Sequence, residues 1–442
     1  MTNKSLTPPL ILWALAFFFS FPVFSPWIFS PRILSPTPRA LAAFSPSAWA
    51  ASGPSFSDTG PDAAAYGAAE NYPPGPRAAP LPQANMVGTF SHFAEKYPHR
   101  AAARAATPSV LRRAAETLTL NYDFGGKTHD LADYLARHPA TGLLIARGDT
   151  ILFEHYQYAR TDKDRFMSQS MAKTVTALLA GIAVAEGAIR SLDDPAASYV
   201  PALAGTEYGA TPIRALLRMA SGVAYREVYD GTGDNARLGR LLFGRDNPGP
   251  ARAVALFNTR SAPPDTRFAY AGIETEVLGL VLTAAARMPL AEYLRTRLWE
   301  PMGAEADAAW TIDTTGQEIA YCCVSATLRD WTRLGLVMAH DGAWNGRQIV
   351  PGAWVREMTA VGAPFLAPGA ATRFFGYGYQ TWLFPGPRRQ FALLGIHGQS
   401  VFVDPAAKLV LAHTAVRVKP SNDPAAAELR ALWAALVARF GG

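Results

Sequence analysis

One serine and one lysine stand three residues apart at the start of a long apolar segment. In "MSQSMAKTVTALLAGIAVAEG", residues 167–187, Lys173 is the first charged side chain and the next is Glu186. Residues three apart share a helix face, so the Ser170 Oγ and Lys173 Nζ atoms can come within hydrogen-bond distance. Burial lowers the pKa of a lysine, and a neutral lysine can accept the proton of a serine nucleophile. The pair therefore indicates nucleophilic chemistry.

The same two residues also fit a purely structural role. Ser170 could cap the helix N-terminus, and Lys173 could extend from the first turn into solvent. The local sequence does not decide between these interpretations, and the rest of the chain has to.

The segment predicts a helix over residues 167–186, ended by Gly187 in the usual C-terminal glycine position. Its residues are apolar or small on every side apart from Lys173, so we expect the helix to be buried. The first turn, which carries Ser170, must then face a space that a substrate can reach.

Two β-hairpins are predicted at opposite ends of the chain. "GLLIARGDTILFEHY" predicts strands over 142–146 and 150–156 with a turn at Gly148 and Asp149. "SVFVDPAAKLVLAHTAV" predicts a second hairpin with its turn at 404–408, and helical patches and loops lie between the two. We expect an α/β fold of the α+β type, in which both chain ends build one antiparallel sheet flanked by helices, with a mainly helical lobe inserted.

Several motifs, in this order, carry a resemblance to a known family. "SMAK" at 170–173 followed by "SLDDPAASYVP", then "TPIRALLRMASGV" at 211–223 and "FAYAGIETEVLGLVL" at 268–282, resemble the serine hydrolases of the penicillin-binding protein and class C β-lactamase superfamily. "YCCVSATLRDWTRLG" and "GIHGQSVFVDP" are most similar to its 6-aminohexanoate-dimer hydrolase group, which cleaves linear amides and also esters. The resemblance covers about residues 118–440.

The resemblance implies a role for each reactive side chain. Ser170 would be the acylated nucleophile and Lys173 its proton acceptor. Tyr270 would relay a proton to the leaving nitrogen or oxygen. A phenol beside a lysine ammonium can have a lowered pKa, and we expect this for Tyr270.

The third family motif corresponds to "HGQS" at 397–400. We expect a backbone N–H of Gln399 or Ser400 to form an oxyanion hole together with that of Ser170. His397 would contact substrate or act as a packed histidine behind the site, and both interpretations stay open. Tyr225 and Tyr229 lie where the amide-hydrolase group places a substrate-contacting tyrosine, and aromatic packing is the alternative for both.

Two departures from the family pattern bear on the substrate. Ala271 and Gly272 stand where serine or alanine and asparagine are common, and the third motif lacks a lysine. Both changes remove groups that hold a β-lactam and its carboxylate. We therefore do not expect efficient β-lactamase activity.

Composition excludes several other functions. The formal net charge of +6 is spread without a basic block, so we predict no nucleic-acid partner. The eight histidines and two cysteines show no ligand spacing, so we predict no metal, and no nucleotide motif indicates a cofactor. Cys322 and Cys323 could form a vicinal disulfide, but we expect two small buried hydrophobic side chains.

The N-terminal region differs in composition from the rest of the chain. Residues 1–50 combine Lys4, an apolar stretch over 10–24 and small-residue sites at 40–42 and 48–50, which predicts a signal peptide or, alternatively, an uncleaved membrane anchor. Residues 51–117 are predicted as a Pro/Ala-rich leader and extension, with the folded part starting near Asn85, and residues 118–442 as the hydrolase domain. We expect a periplasmic or secreted protein, whose N-terminus could associate transiently with a membrane.

The function predicted from the sequence is a serine hydrolase that cleaves small amides or esters through an acyl-enzyme intermediate. A D-alanyl-D-alanine carboxypeptidase or esterase of the same superfamily is the enzymatic alternative. A non-catalytic binding protein that has kept the fold is the alternative from another class.

Overall fold

The computed structural model describes residues 56–76 and 81–441, which belong to one compact unit. The signal peptide or anchor predicted over residues 1–50 lies outside the described residues.

The described strands are, in chain order, β1 His99–Ala102, β2 Arg112–Arg113, β3 Asn121–Phe124, β4 Lys127–Asp130, β5 Ala140–Arg147, β6 Thr150–Tyr156, β7 Phe166–Met167, β8 Ala308–Thr311, β9 Val324–Ala326, β10 Ala343–Trp344, β11 Arg347–Gln348, β12 Gly376–Tyr377, β13 Trp382–Leu383, β14 Phe391–Gly395, β15 Gln399–Asp404 and β16 Leu409–Ala415.

The described α-helices are α1 Met86–Ser91, α2 Phe93–Lys96, α3 Leu131–Arg137, α4 Met171–Ala185, α5 Ile213–Leu217, α6 Asp234–Phe243, α7 Pro250–Ala255, α8 Gly272–Ala286, α9 Leu290–Leu294, α10 Leu328–Ala339, α11 Gly352–Met358 and α12 Ala425–Phe440. Short 3₁₀ turns cover Ala68–Glu70, Gln83–Asn85, Ala196–Ser198, Pro201–Leu203, Pro364–Leu366 and Ile396–Gly398, and a π-helical turn covers Arg295–Trp299.

The main sheet joins the two ends of the folded chain. Its eight strands run in the order β12-β13-β14-β15-β16-β5-β6-β2, and β16 pairs antiparallel with β5. The predicted hairpins are confirmed as β5–β6 and β15–β16. The helices α4 to α11 lie between these hairpins in sequence. The predicted α+β fold with an inserted helical lobe is therefore confirmed.

Side chains of β5 alternate between two hydrophobic cores. Leu144 and Ala146 face the large core that contains α4, α8 and α10, whereas Leu143 and Ile145 face the core beneath α12. Because both faces of the sheet are covered here, the sequence of β5 is almost continuously apolar.

Helix α4 begins later than the sequence pattern predicts. Met167 belongs to β7 and pairs with Ser325, so the predicted start at residue 167 is wrong and the helix starts at Met171. The predicted end is confirmed, since Gly187 adopts a positive φ of 74° two residues after Ala185. Strand pairing before the helix places Ser170 at the junction of a strand and a helix.

The folded region also begins earlier than the predicted start near Asn85. Tyr66 and Tyr72 are buried against Tyr158, and the Tyr66 hydroxyl donates to the Val416 carbonyl over 2.8 Å. The composition of this segment resembles a leader, but these aromatic side chains give it enough apolar area to pack.

A separate four-stranded sheet, β1-β8-β9-β7, lies next to the nucleophile. Within the described residues no single helix is long and apolar enough to cross a membrane, although the bent pair Gly272–Ala286 and Leu290–Trp299 passes that test by length and composition.

The packing of the N-terminal segment predicts a stability difference between two shortened chains. A chain starting at Gly53 keeps Tyr66 and Tyr72, whereas one starting at Asn85 lacks them and uncovers Tyr158. We expect the shorter chain to lose about 3 kcal/mol or more of unfolding free energy, measured by urea denaturation. Equal midpoints for the two chains would show that the segment adds no stability.

Candidate active site

The serine lies in a turn whose backbone is held on both sides. Gln169, directly before it, has a positive φ of 47°, which is uncommon for a residue other than glycine. Ser168 donates its N–H to the Val324 carbonyl over 2.7 Å and accepts the Val324 N–H at its hydroxyl over 3.1 Å. These bonds fix the chain just before Ser170, which occupies the N-cap position of α4 but makes no side-chain capping bond.

Lys173 is buried and points at the serine. Its side chain is 2% exposed, and Nζ donates to the Ser170 Oγ over 2.9 Å and to the Tyr321 carbonyl over 2.8 Å. Burial lowers the pKa of Lys173 to about 8, although the nearby carboxylates of Glu227 and Glu276 oppose this effect. The structural alternative of a lysine extended into solvent is therefore wrong, and the expected lowering of its pKa is confirmed.

Tyr270 completes the group around the serine. The Ser170 side chain acts on the pKa of the Tyr270 hydroxyl, and the Tyr270 ring stacks on Trp382 with centroids 5.3 Å apart. The expectation of a lowered pKa is wrong: burial raises the pKa of Tyr270 well above its usual value, and the Glu227 carboxylate adds to this. Tyr270 therefore keeps its proton and is suited to donate it.

The two predicted oxyanion donors, the backbone N–H groups of Gln399 and Ser400, belong to strand β15. Ser400 lies in a central strand and pairs with Leu394 on one side and His413 on the other, so its N–H points into the ladder. The Gln399 side chain is buried and donates to the Ala415 carbonyl over 2.6 Å. The strand pairing of Ser400 does not favour its N–H as an oxyanion donor, whereas the N–H of Gln399 stays a prediction.

The backbone that contacts the nucleophile turn belongs to Gly395, at the end of β14. A Cβ on Gly395 would lie 2.5 Å from the Ser168 carbonyl oxygen and 2.8 Å from the Gln169 Cβ. Only glycine permits this close approach. The structure thus places the Gly395–Ile396 segment, a few residues before the predicted donors, against the serine turn.

His397 is held by the backbone. Its Nδ1 donates to the Arg417 carbonyl over 2.6 Å, and its N–H donates to the Pro420 carbonyl over 2.9 Å. Burial lowers its pKa, so the imidazole is neutral at physiological pH. These contacts favour the packed histidine among the two interpretations.

Tyr225 and Tyr229 lie on either side of an acid that sequence reasoning missed. The Tyr229 hydroxyl donates to the Glu227 Oε1 over 3.0 Å, and the Tyr225 ring packs on Phe257. Glu227 raises the pKa of Lys173, which places it near the catalytic group. No spacing motif marks Glu227, because the loop that carries it is brought to α8 by tertiary contacts, including the Gly272 N–H.

The expectation of two separate cysteine side chains is wrong. Cys322 and Cys323 form a vicinal disulfide, with Cys323 at a positive φ of 72°. The pair lies between Tyr321, whose carbonyl accepts from Lys173, and Val324, which bonds to Ser168. The disulfide therefore links the two backbone anchors of the nucleophile and the lysine.

A family comparison identifies the family of the chain. The Beta-lactamase family model matches residues 128–435, which include Ser170, Lys173 and Tyr270. The chain belongs to the Beta-lactamase family. It is a hydrolase with the fold of that family, and the resemblance inferred from the motifs is confirmed.

Relatives of this Beta-lactamase family member include hydrolases with different names. A 6-aminohexanoate-dimer hydrolase of Paenarthrobacter ureafaciens is 28% identical over 345 residues, covering 76% of this chain and 85% of that protein. A solved Bacillus anthracis structure, provisionally named a 6-aminohexanoate-dimer hydrolase, matches with a TM-score of 0.71 at 22% identity over 82% of this chain and 94% of its own. A family VIII carboxylesterase matches with a TM-score of 0.54 at 16% identity over 68% of this chain and 93% of its own.

The lowered pKa of Lys173 predicts the pH dependence of hydrolysis. If the neutral amine accepts the serine proton, activity requires deprotonation, so kcat/KM should fall about tenfold per pH unit below about pH 8. A pH profile with a neutral ester checks this. A profile that stays level between about pH 6 and 9 would contradict a lysine base.

The close contact of Gly395 predicts a strong effect of one methyl group. Gly395→Ala should displace the serine turn and lower kcat by about 10- to 100-fold while the protein stays folded. Gly239→Ala is the matched control, because nothing lies within 4 Å of a Cβ there. Equal kcat values for the two variants would show that the contact does not position the serine.

The disulfide predicts the thiol content of the protein. Cys322 and Cys323 are the only cysteines, so thiol titration of the denatured, unreduced protein should find none. The tryptic peptide that carries both should weigh two hydrogens less than its reduced form. Two titratable thiols before reduction would contradict the bond.

Proposed function

We propose that the chain is a serine hydrolase of the Ser-x-x-Lys type that cleaves small amides or esters through an acyl-enzyme intermediate. The observation that carries this proposal is the 2.9 Å contact between the Ser170 Oγ and the buried Lys173 Nζ. A buried amine with a pKa of about 8 is neutral in a useful fraction of molecules near neutral pH.

In the proposed acylation step, the Ser170 Oγ attacks the substrate carbonyl carbon while its proton passes to Lys173. The negative charge that develops on the carbonyl oxygen is held by backbone N–H groups, those of Ser170 and of the adjoining Gly395–Ile396 segment. Tyr270 then donates its proton to the leaving nitrogen or oxygen, a role that its raised pKa suits, and takes a proton in return from the Lys173 ammonium.

In deacylation, water attacks the ester formed on Ser170. Lys173, neutral again after returning its proton to Tyr270, accepts a proton from the attacking water and passes it to the Ser170 Oγ as that oxygen leaves. No group other than the side chains and backbone amides already described is required for this cycle.

Amide and ester substrates are supported by the relatives. The relative with 28% identity is named for hydrolysis of the 6-aminohexanoate dimer, and a structural neighbour is a carboxylesterase. The site also lacks the asparagine and lysine of β-lactam-binding members at Gly272 and in the third motif, which supports a substrate other than a β-lactam.

We also propose that the protein is exported. The sequence of residues 1–50 supports this, and so does the Cys322–Cys323 disulfide, because such bonds persist in oxidising compartments. Cell fractionation and sequencing of the mature N-terminus test the proposal. Recovery of the protein in the cytoplasm would overturn it, and an intact N-terminus in the membrane fraction would favour an anchor.

The proposed nucleophile is tested by covalent labelling. A fluorophosphonate probe should attach to Ser170, located by peptide mass spectrometry, and Ser170→Ala should abolish both labelling and turnover of a p-nitrophenyl ester. Exposed Ser261 offers a matched control, since Ser261→Ala should label and turn over substrate as the parent does. Turnover retained by Ser170→Ala would place the nucleophile elsewhere.

A further inference from the structure

A short backbone segment, residues 320–324, fixes the position of the reactive amine. The Lys173 Nζ donates two hydrogen bonds, one to the Ser170 Oγ over 2.9 Å and one to the Tyr321 carbonyl over 2.8 Å. The carbonyl is the partner that belongs to a different part of the chain. A rotation of the Tyr321 peptide group would therefore change the distance and the angle between the amine and the serine.

Both ends of this segment are held by the surrounding fold. The Ala320 carbonyl accepts the Thr176 hydroxyl over 3.0 Å, and the Ala320 N–H donates to a buried glutamate over 2.9 Å. At the other end, Val324 accepts the Ser168 N–H at its carbonyl and donates its own N–H to the Ser168 hydroxyl. The conformational freedom of the segment is thus confined to residues 321–323.

The disulfide restricts the backbone at this free part of the segment. Cys323 has a φ of 72°, in the left-handed region that residues with a Cβ atom rarely adopt. A bond between the sulfur atoms of adjacent residues closes a small ring, which leaves the peptide group between Cys322 and Cys323 few conformations. Opening the ring would free Cys323 to move to a negative φ and would turn the neighbouring Tyr321 carbonyl.

A reductant has one target in this protein. Cys322 and Cys323 are its only cysteines, and Cys322 is partly exposed whereas Cys323 is 6% exposed. Cys323 packs in a hydrophobic cluster with Met167, three residues before the nucleophile. Any effect of a thiol reductant on the enzyme therefore arises beside the active site.

We propose that the Cys322–Cys323 disulfide is a redox switch that positions Lys173, so that the oxidised enzyme is active and reduction by a dithiol slows the attack of Ser170. This inference rests on the proposed function and adds a regulation of the same site. A thiolate of the dithiol attacks one sulfur of the bond, and its second thiol then displaces the mixed disulfide. Two electrons and two protons end on the cysteine thiols, and the dithiol leaves as a disulfide.

A purely stabilising role of the disulfide has to be separated from this one. If the bond only stabilised the fold, reduction would lower the folded fraction but would leave the kcat of the folded molecules unchanged. As a positioning element, the bond changes kcat at a constant folded fraction. The two interpretations therefore differ in kcat per folded molecule.

The test compares oxidised and reduced enzyme at equal concentrations of folded protein, measured by circular dichroism. The protein is reduced with dithiothreitol, separated from it by gel filtration under argon, and assayed with a p-nitrophenyl ester. We expect reduction to lower kcat about tenfold while KM changes less than about twofold, and fluorophosphonate labelling of Ser170 to slow by a similar factor. Oxidised glutathione should restore both rates. Equal kcat values for the two forms would overturn the proposal.

Two double variants test whether the backbone at residue 323 carries the effect. Cys322→Ser with Cys323→Gly and Cys322→Ser with Cys323→Ser both lack the bond, but only glycine adopts a positive φ without a steric cost. We expect the glycine variant to be about fivefold more active than the serine variant. Dithiothreitol treatment should change neither. Equal activities of the two variants, or a response of either to dithiothreitol, would refute the switch.

Hydrogen exchange keeps this inference separate from the proposed function. The Thr311 N–H donates to the Cys323 carbonyl, and the Val324 N–H donates to the Ser168 hydroxyl. Reduction should speed exchange at both amides about tenfold and leave the amides of β5 and β6 unchanged. If this difference appears while neither form hydrolyses any ester or amide, the proposed function fails and the conformational switch stands. Equal exchange in both forms would refute the switch even if hydrolysis is found.

Discussion

The burial of one amine against one hydroxyl is the interaction on which the rest of the site depends. Lys173 lies in the first turn of a helix that is buried on almost every side, and its Nζ has two partners, the Ser170 Oγ and the Tyr321 carbonyl. Desolvation destabilises the ammonium, and this cost would normally be avoided by moving the side chain to water. The surrounding fold prevents that movement, so the lysine pKa falls instead to about 8.

The segment from Tyr321 to Val324 explains how the fold holds this arrangement. Tyr321 supplies the carbonyl for Lys173, and Val324 pairs with Ser168 two residues before the nucleophile. Between them, the disulfide joins adjacent residues and restricts the backbone that connects both anchors. The serine and the lysine are therefore positioned by the same short stretch of chain, although more than 140 residues separate it from them in sequence.

Local sequence patterns predict the main secondary-structure elements and the Ser170–Lys173 pair. They do not predict features that depend on contacts between distant parts of the chain. The periodicity of the apolar residues predicts the two hairpins and the buried helix. The three-residue spacing of Ser170 and Lys173 predicts that their side chains meet. Met167 was assigned to the helix because its pairing with distant Ser325 leaves no local signal. Glu227 was missed for the same reason, since its approach to Gly272 depends on how a loop folds back. The predicted direction of the Tyr270 pKa is wrong because burial and the Glu227 carboxylate both raise it.

The opposing effects on Lys173 show why the acids near the site matter for the chemistry. Desolvation is the largest effect and favours the neutral amine that acylation needs, while Glu227, and Glu276 when it is ionised, favour the ammonium. Burial raises the pKa of Glu276 itself to about 8. Without the acids, the lysine would lose its proton more readily but would also hold the accepted proton less firmly when the leaving group needs one. A pKa near 8 lies between these demands.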